Sequence, residues 1–294
     1  MRRFSLSLTA ATVFVLLWST GFIGAKFGLP YAEPLTFLAI RFAIVGALLS
    51  VWAFAKGEFQ EGGLNIGRAA IIGILIHGAY LGGVFTAISL GVGAALSALI
   101  VGLQPIITMI IARPLLGERL TTTQFWGLGI GFAGVALVVW RKLEIGELNL
   151  IGLSLCVGGL LAISYASVLQ KQWGARRRLA ANSAIQFWAA SAVMAVLAFQ
   201  FETMKVNWTL EFTLTMLWLI CALSLGAIGL LYYLIRKGDA SSTASLFFLV
   251  PGVTAFMAWA LFGEEFGLTE LLGLGLASFG VALTTQVFAS KART

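Results

Sequence analysis

The sequence predicts an all-α integral membrane protein of ten transmembrane helices, arranged as two inverted five-helix repeats. Three observations carry this expectation. The 294-residue chain is 60% hydrophobic and only 11% charged, far from the roughly 25% charged residues of an average soluble domain. Its charge is concentrated in short stretches between long apolar runs, and of the 12 carboxylates only Glu270, at the start of the last run, falls inside one. Finally, the second part of the chain repeats the first.

A bilayer core about 30 Å thick needs roughly 20 apolar residues per helix. Such runs cover residues 6–27, 34–54, 69–90, 94–112, 121–140, 149–170, 183–200, 212–235, 241–262 and 267–288. Arg2 and Arg3 precede the first run, but the run exceeds signal-peptide length and has no small-residue cleavage site, so it reads as helix 1. Arg41 falls in the second run, His77 in the third, and Pro105 in the fourth. Thr121 and Gln124 have capping-box spacing and open the fifth. Cys156 and Tyr165 lie in the sixth, Trp188 in the seventh, Cys221 and Tyr232 in the eighth, and Pro251 in the ninth. Gly273 lies in the tenth. The connections are too short for a separate soluble domain. The two cysteines have no metal-site spacing and read as buried apolar residues.

The net charge of +7 does not point to nucleic acid, whose binders gather basic residues on one face. The basic residues alternate by loop instead. With a cytoplasmic N-terminus, 14 of the 19 fall inside, among them Arg113, Arg119, Lys171, Arg176, Arg177 and Arg178. Arg141, Lys142 and Lys205 fall outside, while Lys26 and Arg41 lie within spans. This is the positive-inside asymmetry, and it predicts that both termini are cytoplasmic in a bacterial-type plasma membrane.

An offset of 146 residues sets Pro105 on Pro251, Thr108 on Thr254, Gly117-Glu118 on Gly263-Glu264, and Gly127-Leu128-Gly129 on Gly273-Leu274-Gly275. An offset of 145 sets Ala39-Ile40-Arg41-Phe42 on Ala184-Ile185-Gln186-Phe187. The units expected are 1–145 and 146–294. Because five is odd, the second copy enters the membrane from the opposite side. Inverted repeats of this kind exchange conformations about a site near the midplane, which is alternating access.

Leu17-Trp18-Ser19-Thr20-Gly21-Phe22, Pro34 followed by Arg41-Phe42, Pro105, and Gly-Glu after helices 4 and 9 together resemble the drug/metabolite transporter superfamily, and within it the EamA family. The resemblance covers essentially the whole chain. It implies ten helices in two repeats, a central cavity, and export of amino acids, their derivatives or other small metabolites. Ser164 stands where Trp18 would map, and Gln186 where Arg41 would, so the halves contribute unequally to that cavity.

A central arginine costs about 3 kcal/mol to insert. Arg41 is therefore a carboxylate clamp, an inter-helix anchor or a snorkelling group; Lys26, nearer the outer interface, reads as snorkelling. His77 shares a helix face with Gly73 and Tyr80. It reads as cavity lining and as a group able to sense protons. Trp18 and Tyr165 occupy similar depths in the two halves and read as aromatic walls, against ordinary packing. Gln104 and Trp188 are further cavity candidates, with Tyr232 and Trp259 weaker ones. Pro105 and Pro251 are expected in mid-helix as gating kinks. Gly127, Gly131, Gly134 and Gly273 make small-residue faces for helix packing or for a second copy of the chain. Glu118 and Glu264 are expected to tether helix ends.

No cofactor or metal is implied, and the expected partners are a small-molecule substrate, membrane lipid and a homodimer mate. Gly129-Ile130-Gly131-Phe132-Ala133-Gly134 matches a dinucleotide fingerprint but has no preceding strand, and the chain lacks the G-x-S-x-G and H-E-x-x-H motifs. An enzyme is therefore disfavoured. The alternative carrier reading is a broad exporter of hydrophobic cations, which an acid-free cavity would disfavour.

Overall fold

Apolar segments in lipid must close their backbone hydrogen bonds internally, which favours helices. The computed structural model describes residues 2–60, 64–116, 121–144, 146, 149–173, 178–227, 229–230, 247 and 249–291. Among these residues the regular structure is helical, and the one β element is an isolated bridge between Ala32 and Val206. The segments are α1 (Arg2–Gly28), α2 (Pro34–Ala55), α3 (Ile66–Ser89), α4 (Ala94–Val101 and Gln104–Leu116 about a short turn) and α5 (Thr122–Glu144). They continue as α6 (Leu150–Trp173), α7 (Leu179–Phe201), α8 (Leu210–Trp218, prolonged by Leu219–Ala227), α9 (Val250–Phe262) and α10 (Leu268–Lys291). Six helices are long and apolar enough to cross a membrane, and four shorter apolar helices accompany them. Large apolar side chains such as Val51, Phe125, Phe199 and Leu268 are exposed, an outer surface suited to hydrocarbon. The chain is a multi-pass membrane protein.

Three features depart from the sequence expectation. First, Ile74–Leu81 within α3 and Leu219–Ala227 at the end of α8 are π-helical; periodicity cannot distinguish this from ordinary helix. Second, α4 breaks at Gly102 and Leu103, so Pro105 sits in the first turn of a restarted helix, and Pro251 likewise opens α9. Proline has no N–H to lose in a first turn, so Pro105 follows a break in α4 and does not kink a continuous helix. Third, Glu270 lies in the first turn of α10 and is 93% buried, its relative exposure being 7%. It is a carboxylate at the edge of an apolar run. Gly117, Glu118, Arg176, Arg177 and Tyr232 lie outside the described residues.

Carboxylates clamp α2 and α7 at both ends. Glu202 accepts hydrogen bonds from the N–H groups of Leu35 and Thr36 and from the Thr36 hydroxyl, each 2.7 Å, at the start of α2. Glu58, beyond the end of α2, accepts from the Ala181 N–H at 2.9 Å at the start of α7. Each satisfies donors that a helix N-terminus leaves open. Between these ends Ser191 donates to the Ala39 carbonyl, and Trp188 packs on Gly46. Higher positions on α2 therefore meet lower positions on α7, so the two helices run antiparallel.

The same reversal holds between α5 and α10. A Cβ at Gly127 would stand 2.8 Å from the Gly280 carbonyl, whereas one at Gly134 would stand 2.5 Å from the Gly273 carbonyl. The glycines expected to make packing faces thus bring two backbones together within one chain. Gly129 and Gly275 face open space.

Candidate functional site

Arg41 lies two turns into α2 and is almost fully buried. Its Nη2 donates to Ser224 Oγ at 2.9 Å, and that hydroxyl donates to the Leu219 carbonyl at 3.0 Å, within the π-helical end of α8. Nε and Nη1 have no partner among the described residues. Leaving donors of a buried cation unpaired is costly. The guanidinium Cζ is 5.9 Å from the Phe42 ring centre.

The next turn of α2 and the facing turn of α7 supply an aromatic stack. His77 lies on Phe187 with ring centres 4.0 Å apart and planes inclined by 17°. Phe42 stands 5.6 Å from His77 and 5.7 Å from Phe187. Two glycines make this packing available. Gly73 admits the backbone of Gln186, and a Cβ at Gly159 would meet the carbonyl of the buried Tyr80 at 3.1 Å. His77 sits in the π-helical stretch of α3 and Ser224 in that of α8. The 146-residue offset sets residue 74 on 220 and 81 on 227, so the two stretches coincide between the halves. π turns recur at functional sites, and here both border the Arg41 and His77 cluster.

A second polar locus lies on α4 and α9. Gln104 donates to Ser167 on α6 at 3.2 Å, and Gly102 is so close to α9 that a Cβ there would stand 2.7 Å from Pro251 Cγ. The break in α4 thus rests on the proline that opens α9. One turn further on, the Thr108 and Thr254 hydroxyls lack partners. With Arg41 they hold every fully enclosed side-chain polar atom without a partner among the described residues.

The remaining candidates lie apart from the stack. Trp18 packs against Phe14 and Phe247, with ring centres 5.3 and 5.1 Å away. Trp188 is half exposed and its indole donates to Ser50 at 3.1 Å. Tyr165 is exposed. Trp259 is exposed on α9.

Lys26 is engaged by a carboxylate of the second half. Its ammonium pairs with Glu264 Oε1 at 2.7 Å and lies 4.5 Å from the Phe262 ring centre. The same carboxylate oxygen accepts from the Ala94 N–H at 3.2 Å, at the start of α4. Glu264 therefore ties α1, α4 and the turn after α9 together. Beside it is a cavity of about 410 Å³ lined by Lys26, Lys142, Glu264, Glu265 and Glu270, with apolar walls from Leu96, Leu99, Val138 and Leu274. The expectation of an acid-free cavity does not describe this one. Sequence reasoning missed Ser224, Phe187 and Glu270. The threonine pair was visible as a match across the repeat, and Glu270 as the one acid inside an apolar run.

A family model described as the EamA-like transporter family matches residues 5–140 and again residues 150–286. An uncharacterized transporter of Bacillus subtilis, YvbV, is 28% identical over 285 residues, covering 95% of this chain and 91% of that protein. The uncharacterized inner membrane transporter YedA of Escherichia coli is 26% identical, covering 92% and 87%. A probable amino-acid metabolite efflux pump of Salmonella typhimurium is 24% identical, covering 96% and 95%. A solved crystal structure of another protein superposes with a TM-score of 0.67 at 19% identity over 99% of both chains, which shows the shared fold. The relatives are named as transporters and efflux pumps, not enzymes, and the family model spans both halves. By these matches the chain belongs to the EamA-like transporter family.

Proposed function

We propose that this transporter exports small metabolites, amino acids or their derivatives first among them, by alternating access across a bacterial-type plasma membrane. All ten helices then span the bilayer as two inverted five-helix units, 1–145 and 146–294, with both termini cytoplasmic. The reading is supported by the antiparallel packing of α2 on α7 and of α5 on α10. These helices are equivalent under the offset, and an axis in the membrane plane makes such partners antiparallel. The distribution of Lys and Arg supports the orientation.

The observation that carries the substrate class is Arg41. A guanidinium held by one serine, with Nε and Nη1 unpaired in an apolar interior, suits a carboxylate that arrives and leaves with the substrate. The His77, Phe42 and Phe187 stack beside it suits an apolar body. The Salmonella relative named as a probable amino-acid metabolite efflux pump agrees with this class.

Counterflow in proteoliposomes with an amino-acid panel tests the proposal. Saturable exchange of amino acids, indifferent to lipophilic dyes and lost in Arg41→Gln, is the expected result. Exchange inhibited by lipophilic cations but not by amino acids would instead establish the alternative, export of hydrophobic cations, which the three glutamates lining the cavity favour. His77→Gln and Trp18→Ala extend the test: transport unchanged in both would remove those residues from the site.

A further inference from the structure

The cavity beside Lys26 carries two lysines and three glutamates, a formal excess of one negative charge. These groups are not equally engaged. Lys26 and Glu264 neutralise each other at 2.7 Å, and Glu264 also caps α4. Glu265 is exposed to solvent. Lys142 has an interaction of its own. Glu270 differs from these: the residue is 93% buried (7% exposed), while its carboxylate opens on the cavity and makes no hydrogen bond or ion pair with any described residue. It forms part of the cavity wall, and its Oε2 lies over Gly267, where a Cβ would be 2.7 Å away. A bulkier residue at 267 would displace that oxygen.

A buried carboxylate is retained without a protein partner where a cation can reach it. The cavity is concave and of a volume that suits a small molecule, and its aliphatic wall of Leu96, Leu99, Val138 and Leu274 shares the lining about equally with charged and polar groups. A sodium ion would call for several converging oxygens, whereas this wall offers a single unengaged buried carboxylate beside aliphatic side chains. That combination suits an ammonium group on an apolar body.

We propose that this cavity is a vestibule that binds the primary ammonium end of the substrate through Glu270, separately from the Arg41 site. It rests on the proposed export of amino acids and related metabolites, and under the proposed orientation it opens on the outer face. Substrate would meet Glu270 as it leaves the cell.

Three probes with one branched carbon skeleton test the vestibule by calorimetric titration into the full-length protein in nanodiscs, against empty nanodiscs. They are L-leucine, 3-methylbutylamine, which has only the ammonium, and 4-methylpentanoate, which has only the carboxylate. Leucine and the amine are expected to bind saturably, and 4-methylpentanoate, whose carboxylate suits Arg41, is expected not to displace the amine. Glu270→Gln should weaken the amine by about tenfold or more and leave 4-methylpentanoate unchanged; Glu270→Asp should weaken the amine by no more than about threefold, and Glu211→Gln, on the first turn of α8, not at all. Displacement of the amine by 4-methylpentanoate, no saturable binding of the amine, or amine affinity unchanged in a folded Glu270→Gln protein would each overturn the proposal. The wild-type competition decides even where Glu270→Gln does not fold. Failed amino-acid counterflow with Glu270-dependent amine binding would remove the export reading and keep the vestibule. Counterflow that proceeds while Glu270→Gln binds the amine like wild type would do the reverse.

Discussion

Gly134→Ala tests whether the seam between α5 and α10 is set by backbone contact. The added Cβ would stand 2.5 Å from both the Ala277 amide nitrogen and the Gly273 carbonyl oxygen, and 3.0 Å from Leu276 Cβ. Ordinary contact begins at 3.4 Å, so the helices must part by about 0.9 Å, the difference between 3.4 and 2.5. The nearest atoms are main chain and cannot rotate away. Overpacking of this kind costs about 1–3 kcal/mol, which at about 2–4 °C per kcal/mol lowers the melting temperature by roughly 2–12 °C. Cys156 is fully buried and reports unfolding through a thiol-reactive fluorophore, in a Cys221→Ser background because Cys221 is exposed. Gly129→Ala and Gly275→Ala lie on the same two helices but face open space, so they should leave the transition within about 1 °C. Equal losses at Gly129 and Gly134 would refute the reasoning, because a general helical response to alanine would then replace contact at the seam.

Further outcomes follow from the same geometry. Ser224→Ala removes the one hydrogen bond to Arg41 and should cost about 1.5–3 kcal/mol, read in the same melting assay. Gly73→Ala drives a methyl into the backbone of Gln186; it should displace the π-helical turn that bears His77 and reduce counterflow at least about tenfold, with the protein still monodisperse in size-exclusion chromatography. Glu202→Gln weakens three hydrogen bonds at the start of α2 and should destabilise by about 1–3 kcal/mol, whereas Glu211→Gln should not. Glu264→Gln breaks a partly exposed ion pair, with side chains 33% and 17% exposed, for about 1 kcal/mol after solvent screening. Faster maleimide labelling of Leu96→Cys would report the loosened cavity wall.

The scaffold was legible because its signals are local or self-similar. Apolar length gave the helical segments, and the capping box at Thr121 and Gln124 forms as its spacing predicted, with Gln124 Oε1 accepting from the Thr121 N–H at 2.9 Å. The tethering role of Glu264 was legible from its place after a helix. The site was less so. The partner of Lys26 was not legible, because the carboxylate that holds it lies 238 residues away. Pro105 looked like a kink because the helix break at Gly102 leaves no mark in an apolar run. The π-helical stretches, of which Ile74–Leu81 packs on α6 and α7 and Leu219–Ala227 on α1 and α2, leave no mark in a run that is apolar throughout.

The differences between the two halves say more about function than the likeness does. Under the offset Gln124 matches Glu270, and Thr121 matches Gly267. In the first half the pair closes on itself: Gln124 accepts from the Thr121 N–H, and Thr121 Oγ1 accepts from the Gln124 N–H at 3.3 Å. In the second half the hydroxyl is gone, and the amide has become a carboxylate that faces a cavity unpartnered. Arg41 and Gln186 diverge in the same sense, as do Ser224 and its counterpart Gly78. A group needed only to hold a helix in place would be satisfied in either half. Where one copy keeps a neutral residue and the other carries a charge with no partner among the described residues, holding a helix in place does not account for the charge. Under the proposed function, the counter-charge is the substrate's.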